Sequence, residues 1–377
     1  MVYIPPNSVN FSEIMYDIKS ISGLFDLRGD FVCGATYGSG HINDTFRVIV
    51  DQAGLRVSYI LQRINSNVFK QPIPLMENVK RVTDEALRVL LEEGCKEAYR
   101  RTLTIVNAKD GNPYAQDADG NVWRVYPFID RARTYDMIEN PGQCLEVARA
   151  FGNFQKLCAN LPGAPLFETI PDFHNTTKRF KNFQAALAAD ACGRAATVQK
   201  EIDWFLSREA DCHKVVNYLA SGELPLRVTH NDTKLNKVML DDVTGEGICV
   251  IDLDTTMPGS SLYDFGDMIR TSTSPAAEDE KNTSLVTMRM EYFEALAKGY
   301  CEAATFLTPL EKELLPFSGK LLTMECGMRF LTDYLEGDTY FKIKRPEHNL
   351  DRCRTQIALV ESIEAQMDAM MKVVEKY

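Results

Sequence analysis

Thr229-His230-Asn231-Asp232, with Ile248-Cys249-Val250-Ile251-Asp252 downstream, is the stretch on which the reading of this chain turns. The first segment is a polar loop entered from the strand-like 226–229 and left through the strand-like 238–240. The second is an apolar run ending in a carboxylate. Phosphoryl transfer needs one carboxylate to take the acceptor hydroxyl proton and another to hold the magnesium that bridges the nucleotide phosphates. Asp232 and Asp252 stand in that order, on a loop and at a strand end, with His230 placed to brace the loop. An Asp that merely caps turn amides is the ordinary alternative for Asp232, and the strand context together with Asp252 outweighs it.

Two neighbours complicate this site. A metal-binding Asn is expected five positions after the catalytic Asp; Lys237 stands there, and Asn236 falls one step early. An ammonium offers no lone pair to a cation and repels it. Asp264-Phe265-Gly266 spells a second metal-site signature, but it lies 32 residues after Asp232, whereas Asp252 lies 20 after and ends a strand. Asp264 therefore reads as a structural carboxylate that caps a helix or braces a loop. Asp254, two residues past Asp252, reads as a supporting residue.

Composition bounds the function classes. Lys plus Arg is 42 against 53 for Asp plus Glu, a net charge of −11 over 377 residues. A nucleic-acid partner wants a basic field, so none is expected. Ten scattered cysteines, without a C-x-x-C pair, suit a reduced cytoplasmic protein. The first ten residues lack the pattern of a signal peptide, and no run has the roughly 20 apolar residues of a membrane span. A soluble protein with a small-molecule substrate and no membrane partner is expected, its oligomeric state unspecified.

The periodicity changes once along the chain. Strands are expected at 30–36, 43–50, 56–64, 101–108 and 121–129, with a short one at 113–117 and one helix at 76–93. Beyond 130, helical patterns cover 143–158, 180–189, 197–219, 284–300, 310–335 and 353–376, interrupted by strands within 226–254. This predicts an α+β, bilobal, protein-kinase-like fold: a strand-rich lobe over 1–126 and a mostly helical lobe over 127–377 carrying the catalytic hairpin. The glycine turn Gly38-Ser39-Gly40 would let backbone amides approach phosphates, although a plain hairpin turn explains it equally. No Lys occupies the third strand. Arg63 is the candidate cation for phosphate pairing, with an exposed strand-end Arg as the alternative and Glu77 or Asp84 as possible helical partners.

These segments resemble the aminoglycoside phosphotransferase and choline kinase-like family, and within it the N-acetylhexosamine 1-kinases most closely. The resemblance is carried by 38–43, 59–63, 123–126, 226–235, 251–255, 264–267 and the run LLPFSGKLLTMECGMRFLTDYLEGD at 314–338. It implies ATP and Mg²⁺ as cofactors and a hexosamine as acceptor. It assigns Asp232 as base and substrate contact, Asp252 to metal, and Gly38, Gly40, Arg63, Val125, Tyr126 and Phe128 to the nucleotide. His41, Asn43, Arg329 and Tyr340 become sugar contacts. Arg329 pairing with Glu325 or Asp333 on its own helix is the structural alternative. Choline, thiosugar or aminoglycoside acceptors remain open at this stage, as does a degenerate binder, for which Lys237 is the evidence. The other histidines, His174, His213 and His348, show no ligand spacing and receive no role.

Overall fold

The computed structural model describes residues 16–38 and 42–377. It divides into two compact units, 1–73 with 105–128 and 74–104 with 129–377. In the first, helix α1 (Ile18–Ser22) accompanies strands β1 (Asp30–Thr36), β2 (Asp44–Gln52), β3 (Leu55–Arg63), β4 (Ala115–Gln116) and β5 (Val122–Pro127). They form one antiparallel sheet in the order β1-β2-β3-β5-β4. Alternation along β2 and β3 sends Val48, Val50 and Leu61 inward against Trp123, Val125, Phe25 and Ile21. Trp123 is tied by its indole N–H to Asp117 at 2.8 Å, so the large ring is buried without an orphaned donor.

The second unit holds α2 (Pro72–Glu92, its body beyond Ile73), α3 (Ala98–Arg101), β6 (Ala132–Arg133), α4 (Pro141–Leu157), α5 (Thr176–Ala189), α6 (Gln199–Leu206) and α7 (Glu209–Ser221). It continues through β7 (Arg227–Thr229), β8 (Val238–Asp241), β9 (Gly247–Val250), β10 (Met257–Gly259), α8 (Ser261–Ser272), α9 (Met290–Ala303), α10 (Pro309–Leu335) and α11 (His348–Val374). Two small antiparallel sheets, β6-β8-β9 and β10-β7, are set among these helices. Among the described residues no helix is long and apolar enough to cross a membrane. All ten cysteines are free.

The start of helix α10 is tied to strand β7 through Glu311. Thr308 and Glu311 form a capping box at its start, with Pro309 at the first turn. Glu311 is buried and also receives Arg227 at 2.6 and 2.7 Å and the Ser261 hydroxyl at 2.7 Å. One carboxylate thus joins the start of α10, the start of α8 and the strand that leads into His230.

Several expected elements differ. Residues 101–108 are not a strand; the chain leaves α3 irregularly, and only Val106 and Ala108 make isolated bridges, to Val125 and Phe25. Arg100 anchors the preceding turn through Asp241 at 2.7 Å and the Arg131 carbonyl at 2.8 Å, which outweighs the β-branched character of Thr102, Thr104, Ile105 and Val106. The single helix expected over 197–219 is two. At the break the Ser207 hydroxyl and the Arg208 guanidinium take up the Trp204 carbonyl, while Arg208 pairs with Glu364 at 2.8 Å. The helix expected from 284 begins at Met290, and α8 was not expected as a helix.

Candidate active site

Strand β7 ends at Thr229, and the following loop is held on every side. The backbone N–H groups of His230 and Asn231 both donate to the buried Asp264 carboxylate, at 2.9 and 2.7 Å, and the Thr233 hydroxyl donates to the Asp264 carbonyl at 2.6 Å. Gln155 donates to the same carboxylate at 2.5 Å, and is itself held by the Tyr300 hydroxyl at 2.6 Å. Burial raises the Asp264 pKa, with the surrounding donors opposing the shift. Asp264 sits in the first turn of α8, where a carboxylate also meets the positive end of the helix.

His230 is fully buried against Phe151 and Phe154. Its Nε2–H donates to the Ile251 carbonyl at 2.9 Å, and its Nδ1 accepts the Asp232 N–H at 3.3 Å. The ring therefore clamps the loop that carries Asp232 to the residue just before Asp252. Both loops carry a left-handed residue that is not glycine: Asn231 at φ 64° and Asp252 at φ 60°. Such conformations persist only where the surroundings over-determine them. Around Asn231 these are Thr229 (3.0 Å), the Thr255 carbonyl (2.9 Å) and Gly259, where a Cβ would meet the Thr229 hydroxyl at 2.3 Å.

The two carboxylates meet at Lys237. Its ammonium pairs with Asp252 and lies 3.5 Å from Asp232 Oδ2, while Lys234 reaches Asp232 Oδ1 at 2.8 Å. Asp232 is 26% exposed, Lys237 17% and Asp252 35%. Burial opposes the charge of Asp232, but Lys234 and Lys237 outweigh it and hold the acid well below the usual carboxylate range. Burial likewise works against the Lys237 charge, and Asp252 and Asp232 outweigh that, raising its pKa. Asp254 is buried.

Magnesium is the ion that the resemblance implies. Asp252 is the hard oxygen donor on offer; on the neighbouring loop the Asn236 Oδ1 is buried with no hydrogen-bond partner among the described residues, its amide nitrogen going to Asp136 at 3.2 Å. No cluster of three or more His, Cys, Asp or Glu side chains fit for a metal occurs among the described residues. This donor set suits Mg²⁺, which takes one or two carboxylates and completes its shell with water and phosphate oxygens. A bound ion would compete with the Lys237 ammonium for Asp252.

Arg329, on α10, is 4.0 Å from Glu325 one turn earlier and lies 5.5–5.9 Å from the rings of Phe173, Tyr340 and Phe341. Asp333 does not pair with it. That carboxylate accepts the backbone N–H groups of Thr339, Tyr340 and Phe341 at 2.7–2.9 Å, shaping the loop that presents Tyr340, itself 71% exposed. Arg179 approaches the same Glu325 at 4.0 Å, and His174 binds it directly. Neither Arg179, Lys234 nor His174 was singled out from the sequence; the His174 contact with Glu325 spans 151 residues, whereas Lys234 meets Asp232 within its own loop.

In the first unit, Arg63 is committed to Asp44 (2.6 and 2.7 Å) and to Asn121 (3.3 Å). Gly38 has φ 83° with open space where a Cβ would stand. Val125 lies in the core, and its carbonyl accepts the Val106 N–H at 2.9 Å. Tyr126 is buried, and Phe128 lies against Tyr37 and 4.3 Å from the Arg47 guanidinium carbon. The Asn43 side chain accepts the Asn65 N–H at 3.0 Å. Gly40 and His41 lie outside the described residues. On α2, Asp84 pairs with Lys80 and Glu77 is exposed. A cavity of about 620 Å³ in the second unit abuts Val250 and Leu253 but is lined by neither Asp232, Asp252 nor Arg329.

A family model described as the phosphotransferase enzyme family (APH) matches residues 35–310. An aminoglycoside phosphotransferase from Alicyclobacillus acidocaldarius subsp. acidocaldarius DSM 446 is similar in structure, with TM-score 0.60 at 12% identity, covering 97% of this chain and 98% of that one. A Plasmodium vivax ethanolamine kinase (TM-score 0.51, 14% identity, 86% and 81% covered) and a choline kinase from Cryptosporidium parvum Iowa II (0.51, 14%, 91% and 92%) are also similar. At these identities the likeness speaks for the fold, which is the α+β, protein-kinase-like one expected from the sequence.

Proposed function

The chain belongs to the phosphotransferase enzyme family, and on that premise we propose that it uses ATP and Mg²⁺ to phosphorylate the anomeric 1-hydroxyl of N-acetylglucosamine or N-acetylgalactosamine. Asp232 orients the acceptor hydroxyl and receives its proton. A carboxylate held this far below its usual range is a weak base, but a loose phosphoryl-transfer transition state calls for little proton transfer until late, so orientation and charge count most. Asp252 holds magnesium, which when bound neutralises charge on the phosphates. Lys234 and Lys237 keep Asp232 ionised throughout the physiological range.

The observation that carries the choice of acceptor is the character of the group around Arg329. Two guanidiniums and His174 surround one buried carboxylate, Glu325, which His174 already occupies. Choline and aminoglycosides are cations, and choline sites want an aromatic cage free of competing positive charge. Arg329 beside three aromatic rings instead suits a neutral sugar, donating to its hydroxyl or acetamide oxygens while Tyr340 packs on the ring. The resemblance of 314–338 to N-acetylhexosamine 1-kinases supports the same acceptor.

The test is ADP release with N-acetylglucosamine, N-acetylgalactosamine, choline, ethanolamine and kanamycin, each with ATP and with GTP, and ³¹P NMR of any product. Turnover of a hexosamine to its 1-phosphate is expected. Turnover of choline or kanamycin alone overturns the acceptor assignment. ATP binding without turnover of any acceptor favours the degenerate binder.

A further inference from the structure

His174 lies in the irregular segment before α5 and is 8% exposed. Its Nδ1 stands 3.0 and 3.2 Å from the two oxygens of Glu325, and its Nε2 stands 3.0 Å from the Asn231 carbonyl oxygen. A carboxylate and a carbonyl are both acceptors, so both ring nitrogens must carry protons to satisfy them. Phe173 and Tyr263 flank the ring, with centroids at 4.5 and 5.2 Å.

The carbonyl that His174 holds belongs to the peptide unit joining Asn231 to Asp232. The N–H of that same peptide unit is held by His230. The plane is therefore gripped at both ends by imidazoles, at a position where φ of Asn231 is 64°. Because this plane sets the direction in which Asp232 leaves the backbone, tilting it swings the carboxylate. Glu325 in turn lies one turn before Arg329 on α10.

We propose that His174 is a positioning residue that, as an imidazolium, joins the acceptor-binding end of α10 to the peptide unit orienting Asp232. The clamp is the hydrogen-bonded chain Glu325 to His174 to Asn231, and Arg329 adjoins it at 4.0 Å from Glu325, so an acceptor held at Arg329 and the aim of the carboxylate are coupled through neighbouring groups. This rests on the reading of Asp232 as the acceptor-orienting base. Burial opposes the charge on His174, but Glu325, the Asn231 carbonyl and Asp267 outweigh it and raise its pKa. The other groups around it are Arg179 from α5, Arg329 from α10 and Tyr263 from α8.

His174→Gln satisfies only one end of the chain, because an amide with its N–H₂ toward Asn231 turns its oxygen on the Glu325 carboxylate. The double variant His174→Gln/Glu325→Gln restores every donor–acceptor match without charge. We expect His174→Gln to lower kcat by roughly 10–10²-fold, the scale of a lost charge-assisted hydrogen bond, with the KM for nucleotide unchanged. The double variant should recover at least part of that loss. Independently, ¹⁵N NMR of the wild-type protein at neutral pH should show His174 protonated on both nitrogens. Wild-type kcat in His174→Gln, a folded double variant no better than the single one, or a neutral His174 ring would each overturn the proposal. Should the variants fail to fold, the NMR result decides alone. Asp232→Asn, run beside them, separates the cases: normal turnover there removes the catalytic reading, whereas the His174 signature reports on the clamp regardless.

Discussion

Replacing Lys237 by Asn should lower the magnesium requirement. In the wild type the ammonium pairs with Asp252 and lies 3.5 Å from Asp232. A cation at Asp252 must displace this ammonium or share the carboxylate with it. A charge-assisted hydrogen bond contributes about 1.5–3 kcal/mol, and Asp252 is 35% exposed, so solvent screening places the value at the low end. About 1.4 kcal/mol is a factor of ten, so Lys237→Asn should lower the half-saturating Mg²⁺ concentration by roughly tenfold and raise turnover. Asp232 keeps Lys234 at 2.8 Å and remains ionised. The assay is ADP release against Mg²⁺ at saturating ATP and sugar, paired with direct Mn²⁺ binding by electron paramagnetic resonance. Superimposable wild-type and variant curves in both measurements would refute the reasoning, because the ammonium would then not compete for the ion. A silent wild type rescued by Asn would instead mark the natural protein as a binder.

Arg329→Ala should raise the KM for the hexosamine by at least roughly tenfold, the scale of one lost charged hydrogen bond, with little change for ATP; equal effects on both substrates would argue for a purely structural role. Asp264→Ala leaves the N–H groups of His230 and Asn231 buried without their acceptor. At about 1–3 kcal/mol for each, urea unfolding should show a loss of about 2–6 kcal/mol, and a loss under 1 kcal/mol would contradict the brace. For Glu311, burial raises the pKa, but Arg227, the Thr308 N–H and Ser261 outweigh it, leaving it depressed. A depressed folded-state value stabilises above the unfolded value and is lost as pH falls through the folded one. Glu311→Gln should therefore lower Tm at pH 7 and flatten its dependence on pH in the acid range, and an unchanged acid limb would count against this.

What could be read in the sequence is what local patterns encode. Asp232 and Asp252 were visible because a loop and a strand end lie close together along the chain, and the sheet was visible in the alternation of β2 and β3. Spacing alone suggested a bracing role for Asp264, although its grip on two loop amides could not be read from it. His174, Arg179 and Lys234 gave no such signal. His174 draws its partners from Asn231 and Glu325, 57 and 151 residues away, and nothing in the 172–175 segment announces them. The break at Ser207 was hidden for a related reason: helical periodicity continues through it, and the side chains that end the helix act on the Trp204 carbonyl and on Glu364. Lys237 stood out as a departure from pattern, but its pairing with both carboxylates is a matter of three-dimensional placement.

The most direct test of the account is single-turnover phosphorylation of N-acetylglucosamine by Asp232→Asn, measured beside nucleotide binding. Asp232 is the group to which the whole loop is braced, through His230, Asp264 and the two lysines. The substitution keeps the shape of the side chain and removes its charge. The account predicts a rate lower by roughly 10²–10⁴-fold with the Kd for ATP within a few-fold of wild type. A variant that phosphorylates the sugar at near wild-type rate would contradict it.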